Sequence, residues 1–264
     1  MNDDATPLDI AHRAMAANPD DGAARLRFYD RLGESELFLL LAGEPEGDTI
    51  VPQLFPLETS QVVLVFDREE RLSDFVGGPA DFAALSGRQV VRLLTGREIG
   101  LGVNFGVEGS EIAIPAEAVA WLSDVLDHTP AEAEERPREI AAPGGIPEAV
   151  LTGLDTKLAT ARGLARAAYL VRAGYESGRK AHLLAFVDAV SGAERALANA
   201  VGEALTFSGV DAGELDVAFF AASDTISATL ARVGLRFDLP EAEMPEIVEM
   251  DAPGMDPEEP PILR

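Results

Sequence analysis

GLGVNFG, residues 100 to 106, sets three glycines in seven positions and forces a choice between two folds. A dinucleotide loop places such glycines after a strand and at the opening of a helix, so that amide groups at the helix start face a pyrophosphate. Here the order is reversed. A helical segment, about Arg88 to Thr95, comes before the glycines, apolar residues alternate through them, and EIAIP follows as a further strand. The spacing GxGxxxG also fits neither the Rossmann nor the Walker pattern. Gly100 and Gly102 therefore read as strand glycines that ease a bend or a close strand contact, and the domain around them as a mixed sheet.

Working outward, Leu8 to Met15 and Ala23 to Leu32 read as two opening helices broken at Asn18-Pro19-Asp20-Asp21-Gly22. Leu37 to Leu41, Ile50 to Phe55 and Val62 to Phe66 have strand length and strand composition. Asp67 with Glu70 resembles a capping box for a helix over 68–76 that Gly77-Gly78 ends, and a helix over 116–126 carries the single Trp121. After residue 147 the order is helix, strand, strand, helix, strand, helix, strand. Leu151, Leu154, Leu158, Ala161 and Ala165 form one helical stripe that Gly163 interrupts, and Tyr169 to Tyr175 pairs with Ala181 to Asp188 across Glu176-Ser177-Gly178. Ser191 with Glu194 is expected to cap the helix that follows, and Ser223 or Asp224 the next one.

The expected fold class is α+β: two mixed α/β-sheet domains, 1–128 and 148–239, joined by a Pro/Gly/Glu-rich linker over 129–147. Residues 240–264 form an acidic, Pro-rich tail with eight acids against Arg264. The chain length of 264 residues suits two domains. Forty-six acids against twenty-one bases give a net charge of −25, which repels nucleic acid and anionic membrane. With no cysteine, disulfides, thiolate nucleophiles and cysteine-held zinc are excluded. The acidic start MNDDATPLDI lacks the basic opening of a signal peptide, and no apolar run reaches the roughly 18 residues of a membrane span, so the expected location is cytoplasmic.

No residue is nominated as catalytic, metal-binding or cofactor-binding. His12, His128 and His182 lack any spacing that aims two imidazoles at one metal, and no Gly-x-Ser-x-Gly elbow is present. Charge segregation is more informative. Lys157, Arg162, Arg166, Arg172, Arg179 and Lys180 face only Asp155 and Glu176 between residues 155 and 182, a basic island in an acidic chain. These six are the candidate partner-binding residues, on which the acidic tail folds back or competes with an acidic partner.

ELFLLL, VVLVFD leading into DREERLSDF, and GLGVNFG followed by EIAIPAEAVAWL resemble the N-terminal domain of the SseB-like family, named for enhanced serine sensitivity. LDTKLATARGLARAAYLV, HLLAFVD and LDVAFF are similar to that family's C-terminal domain, so the resemblance covers roughly residues 8–238. In the family the glycine segment commonly runs strand, Asn-Pro-Gly, strand. Asn104 and Gly106 match as a family-marker turn, and Phe105 stands where proline would be. The resemblance implies no established reaction. The family name is shared with a sulfurtransferase, whose chemistry needs a cysteine this chain lacks, and with a type III secretion translocon component, which leaves a secretion-associated role as one alternative. The leading expectation is a cytoplasmic protein-interaction or regulatory module without catalysis or cofactor. The other alternative is a protein or enzyme that binds an amino acid or related metabolite between the two domains.

Overall fold

The computed structural model describes residues 5–241 except 46, 48, 58–59, 128–134, 136 and 210–214. From residue 242 on, the expected tail lies outside the described residues. The chain opens with α1 (Pro7–Ala17) and α2 (Gly22–Glu34), followed by β1 (Glu36–Leu40), β2 (Leu54–Pro56) and β3 (Gln61–Phe66). Next come α3 (Glu69–Val76), β4 (Phe82–Ser86), α4 (Gly87–Leu94), β5 (Gly100–Val103), β6 (Ile112–Ile114) and α5 (Ala116–Asp127). The strands form one sheet ordered β4-β1-β3-β5-β6, with β2 paired to the start of β3. Strands β3 and β5 run parallel, joined by the crossover through α3, β4 and α4, and the other pairs are antiparallel. GLGV is thus an interior strand of a mixed sheet, as its place in the chain required.

The rest of the chain builds a second sheet from β7 (Pro137–Ala141), β8 (Ala167–Tyr175), β9 (Lys180–Val187), β10 (Leu215–Phe220) and β11 (Leu235–Asp238). Its helices are α6 (Glu148–Thr160), α7 (Glu194–Ser208) and α8 (Thr225–Val233). The order is β10-β9-β8-β11, and β7 lies end to end with β11 along the same edge of β8. Only β9 and β10 are parallel, bridged by α7. Two mixed sheets with eight helices among the described residues make this an α+β protein.

Several local expectations change. The segment taken as linker contains β7, whose residues pair with β8 from Arg172 to Tyr175. A strand absent from the sequence reading, β4, pairs along the whole of β1 and runs into Ser86, which caps α4 through a box with Gln89. The strand expected over 50–55 shortens to β2 and a bridge from Leu41 to Pro52. The cap of α3 is Arg68, because the Asp67 carboxylate is taken by Thr6 and Arg71. Ala193 caps α7 in place of Ser191; Asp224 is the N-cap of α8 as expected, but its carboxylate accepts from the Ala221 N–H behind it instead of from the helix.

Both faces of each sheet are apolar. In the first sheet, Leu37, Leu39, Val63, Val65, Leu101 and Val103 meet α1, α2, α4 and α5 on one face. Phe38, Leu40, Val62, Leu64 and Phe66 point to the other, where α3 supplies Leu72. This is the period-two alternation of a sheet covered on both sides. On that second face β5 offers only Gly100 and Gly102. A Cβ on Gly102 would lie 2.5 Å from Leu64 Cδ2 and 3.0 Å from the Phe105 ring, so glycine lets Phe105 fold back over the strand. In the second sheet α6 and α7 cover one face and α8 the other. Helix α7 serves both halves: Leu197, Val201 and Ala204 pack on its own sheet, whereas Phe207 enters the core of the first.

Candidate functional site

The glycine segment ends in a polar cluster at the carboxyl ends of the parallel pair β3 and β5. Asn104 follows β5 with φ 51° and is fully buried. Its N–H donates to Val65 O at 2.9 Å, its Oδ1 accepts from Asp67 N at 3.1 Å, and its Nδ2 donates to Ser110 Oγ at 2.9 Å. A short side-chain amide tolerates the left-handed conformation while tying three segments together. Ser110 in turn donates to Asp9 on α1. Asp9 also accepts two bonds from Arg71, at 2.9 and 2.7 Å, and one from Thr6 N at 3.0 Å. Arg71 reaches Asp67 as well, at 2.7 Å. Burial pushes the Asp9 carboxyl up, but Arg71, Ser110 and Thr6 outweigh it and hold the group far below the usual carboxylate range. Gly106 has φ 81° and gives its N–H to Glu111 Oε2 at 3.1 Å, while Phe105 between the two marker residues is half-buried against the Phe-rich face. Every polar group here is satisfied, and the cluster anchors α1 and α3 to the sheet.

The six basic candidates do not form one patch. Lys157 is buried at 3 % exposure. Arg162 lies in the turn after α6, and Arg166 stands just before β8, where it approaches Asp188 to 3.8 Å. Arg172 and Lys180 belong to the hairpin end of β8 and β9, roughly 20 Å along the strand from Arg166 at 3.3 Å per residue. Arg179 stacks on Tyr175 at 4.4 Å and pairs at 2.9 Å with both Glu135 and Asp216. His182 uses Nε2 to meet Gly144 O at 3.1 Å.

Lys157 instead closes an ionic cluster where α2, α4, α6 and α7 meet. Its Nζ lies 2.6 Å from Asp30 Oδ1, 2.6 Å from Glu34 Oε1, 3.0 Å from Glu203 Oε2 and 5.6 Å from the Phe207 ring. Glu203 is held bidentately by Arg88 at 2.8 and 2.9 Å. Burial disfavours the Lys157 cation, but Asp30, Glu34 and Glu203 outweigh it and the ammonium stays charged, its pKa raised. Glu203 is likewise penalised by burial and then pulled below its ordinary value by Arg88 and Lys157. Asp30 goes the other way: burial raises it, the repulsion of Glu34 adds to that, and its share of Lys157 is insufficient to reverse the shift.

Beside this cluster a groove of about 640 Å³ runs over the seam of α2 and α7, walled by α1 and α6. Ile10, Ala14 and Phe207 make it apolar, Arg27 and Arg31 stand along one side, and Thr152 marks the other. Trp121 lies at the far side of Phe207, ring centroids 6.4 Å apart, and touches Tyr29 at 5.7 Å. The seam is therefore filled by Phe207 and the ionic cluster at its centre and open at its surface.

Asp9, Arg71, Asp30 and Glu203 were not singled out by sequence. The signals were present in part. Thr6 and Asp9 form a capping box with Asp in the place of Glu, and Lys157 stands three residues after Leu154 on the buried stripe of α6.

An α+β sheet with a buried Asn-x-Gly turn after its parallel strand defines the class of the first half. Residues 10–121 match the SseB protein N-terminal domain. The match includes β1 to β6, Arg71, Asn104 and Gly106, and stops within α5. No curated protein and no solved structure matches the chain.

Proposed function

We propose that this protein is a non-catalytic interaction or regulatory module of the cytoplasm, with residues 148–239 serving as the family's C-terminal domain. One observation carries the reading. Of the nine strongly exposed large apolar residues among those described, five fall in two short stretches, Val51, Leu54, Leu57, Phe75 and Val76, although Leu54, paired with Val63, points to the opposite side of the sheet from Phe55. Phe55, between Leu54 and Leu57, meets Phe75 ring to ring at 6.2 Å, so the two stretches adjoin. Single exposed apolar residues are ordinary on a soluble protein, whereas adjoining ones mark a surface that something covers.

The test is site-specific photo-crosslinking from position 76 against position 195, an exposed site on α7. A protein captured saturably from position 76 alone, and displaced by unlabelled chain, is the expected result. The second reading, a metabolite site, is favoured by the seam groove, whose volume lies within the 300–1,000 Å³ range of small-molecule pockets. A thermal-shift screen with amino acids and nucleotides separates the two, because a ligand at 100 times its Kd stabilises by about 2.7 kcal/mol. A metabolite that gives such a shift, with no saturable protein captured, would replace the first reading with the second.

A further inference from the structure

The Phe-rich face of the first sheet is covered by a single short helix. Phe38, Phe55, Phe66, Phe75, Phe82 and Phe105 all belong to it or pack on it, half of the twelve phenylalanines in the chain. Its cover is α3, a helix of eight residues that buries only Leu72. Phe75 and Val76 at the end of α3 stay 40 % and 43 % exposed. Phe75 reaches Phe66 at 5.4 Å and comes within 3.5 Å of a Cβ built on Gly106, so it spans from β2 to the marker turn. Leu57, just past the end of β2, is exposed as well.

The border of this face has one sign. The described residues of the three segments that flank it, 42–60, 67–82 and 104–111, include eight acids against Arg68 and Arg71. Arg71 is engaged by Asp9 and Asp67 inside the domain. Glu69, Glu70 and Asp74 on α3, with Asp81, Glu108 and Glu111 around it, are exposed. A second copy of this chain would bring acid against acid, and so would the chain's own tail, with eight acids. An anionic membrane is repelled in the same way.

We infer that the sheet face around Phe55, Phe75 and Phe105 docks a cationic amphipathic segment of a partner protein, with apolar side chains set on the phenylalanines and Lys or Arg set against the acids of α3. The inference deepens the interaction-module reading and rests on it. Apolar contact supplies the affinity, and the acidic border supplies selection and salt-sensitive encounter.

The probe is a synthetic amphipathic peptide of Leu and Lys, measured by fluorescence anisotropy beside a scrambled peptide of equal composition and a Leu/Glu peptide of equal pattern. The full-length chain should bind the patterned Leu/Lys peptide at least about tenfold more tightly than either control, a ratio of roughly 1.4 kcal/mol, and the preference should shrink as salt rises. Val76→Asp should lower the affinity about tenfold, and so should the double charge reversal Glu70→Lys with Asp74→Lys. These are exposed positions, and an unchanged circular dichroism spectrum and Tm would establish that each variant is folded. Equal binding of the scrambled peptide, loss of binding with Ile10→Ser in the seam groove but not with Val76→Asp, or a concentration-dependent dimer abolished by Val76→Asp would each overturn the inference. A partner crosslinked from position 76 whose contacting segment is acidic would overturn the cationic class and leave the interaction module standing. Absence of any saturable crosslink would count against both.

Discussion

Asp9 and Asp30 are both aspartates drawn out of water beside a cation, and they respond in opposite directions. Asp9 accepts from two guanidinium N–H groups of Arg71, from the Ser110 hydroxyl and from the Thr6 amide, and its carboxyl is held far below the usual range. Asp30 has Lys157, which it shares with Glu34 and Glu203, and its carboxyl is raised. Proximity to positive charge is common to both. What differs is the number of donors aimed at each carboxylate, which decides whether burial is overcome. The cluster inside the first domain is locally complete, whereas the one at the seam joins the two halves with an acid to spare.

The sharpest test of that contrast is Lys157→Ala, which leaves Asp30, Glu34 and Glu203 facing one another. It is expected to lower the unfolding free energy by about 3–5 kcal/mol, as removal of one partner from a buried ion cluster does, read from urea denaturation. Arg71→Ala removes one cation from Asp9 and Asp67 but leaves Asp9 its Ser110 and Thr6 donors, so about 2–3 kcal/mol is expected. A larger loss for Arg71→Ala than for Lys157→Ala would break the ranking. The pH profile gives a third test, with opposite signs for the two acids. Asp9 is depressed, so its contribution is full above the ordinary value of 3.8 and is lost as pH falls below it. Asp30 is raised, so folding favours its protonated form, and its contribution declines as pH climbs from 3.8 through the folded value. Asp9→Asn should therefore flatten the acid limb of the stability profile and Asp30→Asn the limb just above it; a common response of both variants would remove the distinction. The smallest effect is that of Asp30→Asn at neutral pH, within about 1 kcal/mol of the parent and of either sign, because it removes a charge that burial already disfavours.

The sheet containing GLGVNFG was legible because element order excludes a phosphate loop before any side chain is placed. Long apolar runs such as VVLVF and AFV were legible for the same reason that they are buried on both faces. Two edge strands, β4 and β7, were not. FAALS and PREIA alternate weakly, and their pairing is fixed by a partner strand far along the chain. Asp67 looked like a helix cap because the local spacing was right, yet a long-range partner, Thr6, competed for its carboxylate. The basic island failed as a unit for a related reason. Arg166 stands before β8 and Arg172 towards its far end, and Lys157 lies on the buried side of α6, where charge alone gives no sign of three acids converging from α2 and α7.

Phe207 belongs to one half by chain order and to the other by packing. Neither half can then be excised without cost: residues 1–127 expressed alone would present an empty socket where that ring sits, and residues 135–264 would carry an uncovered phenylalanine at the end of α7. Mixed together, the two pieces should recover from each other what each lacks.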